Sequence, residues 1–207
     1  EIRRYLIEND WLDAIVQLPN NAFYNTSIAT YIWIVVKNKP ATHQGKVQLI
    51  DASACCSARR KNICSKNVDI TKACRDLIIE AYGAYADDTY NGVDENDNAI
   101  VVKSKVMDSI ELGYNKIVVE TPQLDDNGNV VTKNGKPVAD ATKRDTENVP
   151  LAEDIDAYFE REVIPYNPQA WIDKAKTKVG YEIPFTRAFY EYKQIEPSDV
   201  IAARIEE

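Results

Sequence analysis

Glycine is scarce in this chain. Seven occur among 207 residues, and none falls in a G-x-G or G-x-x-x-x-G-K arrangement, so no loop of the kind that cradles a phosphate or nucleotide on backbone N–H groups is visible. Histidine is scarcer: His43 stands alone in a polar stretch after Pro40, which gives a Ser-His-Asp or Cys-His catalytic system little support. No run approaches the roughly 18 apolar residues of a membrane span. Cysteine is present but badly spaced for a metal. Cys55, Cys56, Cys64 and Cys74 contain no C-x-x-C pair, and two adjacent thiols do not easily face one tetrahedral ion. The expectation is reduced thiols and no metal site.

What is present describes a folding chain. At 44% hydrophobic and 28% charged residues, it has the composition of a globular protein rather than a disordered one, and its length suits one ordinary domain or two small ones. The net charge of −8 is unevenly spread: residues 1–80 hold 11 basic and 8 acidic side chains, residues 81–207 hold 14 and 25. A surface that tracks phosphates needs clustered cations, whose contacts release counterions. Arg59, Arg60, Lys61 and Lys66 offer such a cluster in the first part; the second part as a whole does not. The same charges also read as an ordinary solvated face.

Apolar spacing organises the first part as helix, strand, strand, strand. IRRYLIEN (2–9) carries a helical stripe, LDAIVQL (12–18) is a short apolar strand, and the polar loop PNNAFYNTS (19–27) leads to IATYIWIVVK (28–37). That last strand is apolar on both faces, which predicts a central strand with cover on two sides. KVQLIDA (46–52) is a third strand, 53–68 reads as a basic loop, and Asp69 or Thr71 caps a helix to about Tyr82 with Ala73, Leu77, Ile78 and Ala81 inward. Residues 84–98 read as an acidic linker, 99–107 and 113–122 as strands. Two Asn-Gly pairs within 125–140 predict a projecting β-hairpin. AEDIDAYFEREVIP (152–165) is an amphipathic helix, residues 166–192 are rich in aromatics and prolines, and 195–207 starts another helix.

Three stretches carry a resemblance. EIRRYLIENDWLDAIVQLPNNAFYNTSIATYIWIVVKNK (1–39) resembles the late half of the methylase domain in N6-adenine DNA methyltransferases. ELGYNKIVVETP (111–122) is similar to an FGY-x-x-I-x-V-E-x-P segment of the modification (M) subunit of type I restriction–modification systems. AWIDKAKTKVGYEIPFTRAFYEY (170–192) resembles a signature near that subunit's C-terminus. The resemblance implies an α/β fold: the C-terminal part of a Rossmann-like methyltransferase sheet, followed by an α+β region with a β-hairpin and C-terminal helices. It implies three segments: 1–83 as the end of the catalytic domain, 84–150 as linker, strands and projecting hairpin, and 151–207 as a helical region for subunit contact. Members of that family carry a Gly-rich S-adenosylmethionine loop and an Asn-Pro-Pro-Tyr/Phe motif. Neither occurs here, and Asn167-Pro168-Gln169 breaks the second pattern. The expectation is a C-terminal fragment with no catalytic or cofactor-binding residues of its own, no bound S-adenosylmethionine, and no activity alone.

The resemblance also assigns site residues. Adenine-N6 chemistry requires a base out of the duplex and held against flat surfaces. By register the wall is Phe23, with Tyr24 as its neighbour and Asn25 and Thr26 able to position the loop or reach the nucleotide. The same aromatics also read as plugs for the end of a sheet. Arg59, Arg60 and Lys61 would meet the DNA backbone. Phe185, Phe189, Tyr190 and Tyr192 read as packing of the C-terminal region on the methylase core, or as a stacking platform. Implied partners are DNA, a specificity (S) subunit, a second M subunit and a restriction (R) subunit in a cytoplasmic complex, with no membrane. A non-catalytic interaction module and a related phage-defence adenine methylase are the alternatives. Under the fragment expectation, strand 28–37 should expose an edge or face.

Overall fold

The apolar run Leu12–Leu18 (β1) is buried because it has a strand on each side and cover on both faces, in a computed structural model that describes residues 1–192 and Arg204. Helix α1 (Ile2–Glu8) leads into it through a corner at Asp10, whose φ is 53°. Lys39 Nζ donates to Asp10 Oδ1 at 2.7 Å and the Gly45 amide donates to Oδ2 at 3.0 Å, which fixes that left-handed turn. β2 (Thr30–Val35) pairs antiparallel with β1, and β3 (Lys46–Asp51) pairs parallel with it on the other side. A hairpin of β4 (Ser57–Ile63) and β5 (Lys66–Asp69) follows, then helix α2 (Lys72–Ala84), whose N-cap Thr71 accepts from the Cys74 amide. β6 (Asp88–Val93) and β7 (Ala99–Asp108) return to the sheet, giving the order β2-β1-β3-β7-β6.

The period-2 alternation of these strands sorts their side chains onto two cores. Val16, Leu18, Ile50, Ile100 and Val102 meet Cys74, Leu77 and Ala81 of α2. Ile15, Val47, Leu49 and Met107 meet Ile7 of α1 and Phe185. Each fully buried aliphatic side chain contributes about 1.5–3 kcal/mol. Gln48 Nε2 donates to the Ala81 carbonyl and to Ser104 Oγ, both at 2.8 Å, while its buried Oε1 has no partner among the described residues. A register shift between Leu12 and Ala14 accompanies a buried Asp13, whose carboxylate accepts from the Tyr82 hydroxyl at 2.8 Å and lies 3.0 Å from His43 Nδ1. His43 in turn stacks on Tyr85 with ring centroids 3.4 Å apart. The lone histidine is thus committed to a latch between the 38–45 loop, β1 and the end of α2.

A second sheet is built on β8 (Gly113–Glu120), the strand read from 113–122. β11 (Asp145–Pro150) pairs along one edge; β12 (Trp171–Ile172) and β13 (Lys178–Tyr181) share the other. Helix α3 (Ile155–Glu162), capped by Asp154 through the Ala157 amide, packs Phe159 on Ile117, Val119 and Val149. Between β8 and β11 the exposed hairpin of β9 (Thr132–Lys133) and β10 (Lys136–Pro137) turns at Asn134-Gly135, both with positive φ. Helix α4 (Phe185–Ala188) carries Phe185 back to the first sheet, with Phe189 beside it at 5.9 Å between ring centroids, while Tyr190 and Tyr192 are exposed. Packing of the C-terminal aromatics on the first sheet therefore holds for the two phenylalanines.

Three expectations are corrected. Strand 28–37 was expected to be central from its two apolar faces, yet β2 is the sheet's edge, with Tyr31, Ile32, Trp33 and Val35 all exposed. Among the described residues the outer edge of β2 is unpaired, as the fragment expectation required of this strand. The basic loop 53–68 is largely the β4–β5 hairpin. The acidic linker 84–98 contains β6, and only its Asn- and Asp-rich end is a turn, where Asp94 Oδ1 accepts the amides of Asn96 and Asn98. The helix expected over 195–207 lies outside the residues described, Arg204 excepted.

Candidate functional site

Parallel strands in α/β sheets present their ligand sites at their carboxyl ends. β1 and β3 are the parallel pair of this sheet, and the loop after β1 holds the residues singled out from sequence. Pro19 ends the strand, Asn21 turns the chain with φ 57°, and buried Ala22 anchors it. A tight turn then brings Phe23 opposite Thr26, with Tyr24 and Asn25 at its tip. Phe23 is 46% exposed and Tyr24 57% exposed, so neither plugs the sheet; Asn25 is exposed and Thr26 half-buried. Phe23 through Thr26 form one projecting turn with both aromatic side chains about half exposed.

The β4–β5 hairpin is stitched to this loop. The Ser65 amide donates to the Tyr24 carbonyl at 2.9 Å and the Asn67 amide to the Asn21 carbonyl at 3.2 Å. Lys66 Nζ donates to the Ala22 carbonyl at 3.0 Å, lies 3.0 Å from Asp69 Oδ1, and sits 5.7 Å from the centroid of the Tyr24 ring. The two regions that sequence suggested separately, the aromatic loop and the basic cluster, are therefore one surface. Within the hairpin the cations divide. Arg59 Nη1 donates to both oxygens of Asp69 at 2.6 Å, so its guanidinium braces the hairpin. Hydrogen bonds from Lys66 and then Arg59 hold the Asp69 carboxyl below the usual carboxylate range. Arg60 and Lys61 are exposed, and no ion pair among the described residues claims either. Lys66 appeared in the sequence only as one of several cations; the signal for its role, Asp69 three residues later, was available but weak.

Elsewhere the chemistry is structural. The four cysteines are free; Cys55 and Cys74 lie in the α2 core, and burial, reinforced by Cys74, pushes the Cys55 thiol up to about 12. No group of three or more metal-ligating side chains occurs among the described residues, and none of their helices is long and apolar enough to cross a membrane. The seven glycines are dispersed: Gly45, Gly128 and Gly135 occupy turns with positive φ, Gly83 lies in α2, and Gly92, Gly113 and Gly180 lie in strands.

Relatives are similar to parts of this chain. It is 42% identical over 65 residues to the type I restriction enzyme MjaIX methylase subunit of Methanocaldococcus jannaschii, covering 30% of this chain and 12% of that protein. It is 50% identical over 38 residues to the MpnII methylase subunit of Mycoplasma pneumoniae, covering 18% and 7% respectively. A solved type I restriction–modification methyltransferase subunit from Streptococcus thermophilus aligns at 26% identity with a TM-score of 0.40, over 54% of this chain and 19% of that one. The matched stretches thus span about an eighth or less of the curated relatives' length. The family model for N-6 DNA methylase matches residues 1–120, which takes in α1, the first sheet, the aromatic loop and the basic hairpin. This chain belongs to the N-6 DNA methylase family.

Proposed function

We propose that this chain forms the C-terminal part of the modification subunit of a type I restriction–modification complex, an enzyme that moves a methyl group from S-adenosylmethionine to adenine N6 in DNA. The observation that carries the reading is the Phe23–Thr26 turn, exposed at the carboxyl end of the parallel pair within the family-matched region. An aromatic face there is worth about 1–3 kcal/mol to an unstacked base, an appreciable share of the few kcal/mol that flipping costs. Phe23 is the stacking wall and Tyr24 its neighbour; Asn25 and Thr26 position the turn or reach the nucleotide. Arg60 and Lys61 neutralise backbone phosphates beside it, and Arg59 keeps their hairpin rigid.

No described residue is assigned to the methyl donor in this reading; the glycines lie in turns, in strands and, for Gly83, in α2. No step through the donor is assigned to them, and the chain by itself is proposed to be inactive. The donor site and the rest of the sheet come from a segment preceding Glu1, which pairs with the open edge of β2 and covers its exposed apolar residues. The relatives' much greater length is consistent with that. The remaining partners are DNA, a specificity subunit that reads sequence, a second modification subunit and a restriction subunit, in the cytoplasm. The test is Phe23→Ala in the full-length subunit: donor binding should persist while methyl transfer falls at least tenfold, the ~1.4 kcal/mol of a single weak stack. Undiminished transfer would remove Phe23 from the site.

A further inference from the structure

The turn that presents Phe23 and Tyr24 has no regular structure of its own to hold it. Between Leu18 and Thr30 the described contacts of its backbone with the rest of the chain run to β5 and its turn: Ser65 and Asn67 supply two amides, and Lys66 lies between them. Lys66 keeps only 17% of its side chain exposed, a cost for an ammonium unless its donors are used. They are used on the Ala22 carbonyl and on Asp69, with the Tyr24 ring nearby. A charge-assisted bond to Ala22 acts on the residue immediately before Phe23. The same hairpin bears Arg60 and Lys61, so whatever seats the hairpin also seats the aromatic turn.

We infer that Lys66 is a positioning residue for base capture: its ammonium fixes the Ala22 carbonyl and with it the height of the Phe23 and Tyr24 rings. The inference rests on the proposed role of Phe23 as a base wall and adds to it the residue that sets the wall. Lys66→Met keeps the apolar stem and removes the donor; Lys66→Arg keeps a donor. Asp69→Asn loosens the hairpin brace but leaves the bond from Lys66 to Ala22, which separates positioning from simple hairpin stability.

The experiment titrates the full-length subunit, wild type and variants, with a single-stranded oligonucleotide containing 2-aminopurine, whose fluorescence is quenched on stacking. The wild-type subunit should quench it and Phe23→Ala should not. Lys66→Met should bind about tenfold more weakly, the equivalent of losing one stack at the low end of its range, with Lys66→Arg and Asp69→Asn within about threefold of wild type by the same scale. Amide exchange gives a second readout: Ser65 and Asn67 should lose protection in Lys66→Met while the β1 and β3 amides keep theirs. Unchanged affinity and protection in Lys66→Met, with Phe23→Ala defective, would overturn the role of Lys66 and leave the wall intact. An equal loss in Asp69→Asn would also overturn it, by assigning the effect to the hairpin. Absence of quenching by the wild type, or no defect in Phe23→Ala, would remove the wall and this inference together.

Discussion

Substituting Gly180 by alanine tests how the two sequence stretches most characteristic of the second sheet fit together. β8 and β13 are antiparallel with Gly180 opposite Tyr114 and Tyr181 opposite Gly113, so two Gly-Tyr dipeptides meet head to tail and each glycine lies beneath the other strand's ring. A Cβ on Gly180 would lie 2.5 Å from Tyr114 Cζ and 2.7 Å from both Cε2 and the hydroxyl oxygen. Ordinary contact begins near 3.4 Å, so the ring must retreat by about an ångström. Overpacking of this kind costs about 1–3 kcal/mol. The backbone at Gly180 is not in the left-handed region, so alanine also removes about 0.4–1 kcal/mol of unfolded-state entropy. The net expectation is a loss of about 1–2 kcal/mol, read as a lower urea midpoint with unchanged slope. The diagnostic is a double-mutant cycle with Tyr114→Ala, which removes the ring; Gly180→Ala should then be neutral or stabilising, a coupling of about 1–2 kcal/mol. A full cost that persists without the ring would refute the steric argument, as would a neutral Gly180→Ala with the ring in place.

The remaining expectations concern charge and the open edge. Glu120 is buried; burial by itself pushes its carboxyl up, but hydrogen bonds from Arg144 at 2.8 Å and Lys176 at 3.0 Å outweigh that and hold it below the usual glutamate value. A carboxyl depressed in the folded state stabilises above the unfolded value of 4.5 and loses that contribution as pH falls through the folded value. Glu120→Gln should therefore cost stability at pH 7, by about 1–2 kcal/mol given the half-exposed cations, and flatten the acid limb of a stability-against-pH curve below pH 4.5; an unchanged acid limb would count against the ion-pair hub. At the β2 edge, Ile32 and Val35 are each 49% exposed beside Tyr31 and Trp33, so the isolated chain should self-associate. Val35→Lys should make it monomeric by sedimentation without unfolding it, and a wild-type chain that stays monomeric at high concentration would argue against an edge in need of a partner.

How far the sequence disclosed this fold depended on whether each signal was local. β1, β3, β7 and β8 were legible because their burial comes from alternation or a continuous apolar run, and α2 because Thr71 supplies a side-chain cap. The 125–140 hairpin was legible from Asn134-Gly135, whose left-handed backbone that pair tolerates best. The β4–β5 hairpin was not. Its turn is Cys64-Ser65, with Cys64 at φ 51°, and cysteine advertises no such turn; the hairpin holds instead through Arg59, Lys66 and Asp69 and through the loop it supports. β6 was lost to its own ending, since the Asp94–Asn98 turn dominated the composition of the whole segment. Phe23 and Tyr24 could be named from sequence through family resemblance alone, and their exposure is what the structure adds.

The same distinction explains β2, where composition and position disagree. A strand apolar on both faces is ordinarily central because both faces are covered. Here one edge is bonded to β1 and the other is bonded to nothing among the described residues. Neither α2 nor the returning Phe185 covers the full breadth of Tyr31, Ile32, Trp33 and Val35. Exposed edges in finished proteins are usually blunted by lysine, proline or a bulge, and Thr30–Val35 contains none of these residues. Its sequence is therefore that of an interior strand in an edge position, and the proposed preceding segment resolves the contradiction by supplying both the neighbour and the methyl-donor site. Because β2 begins at Thr30, four residues after Thr26, the proposed neighbouring strand would run close to the proposed base wall.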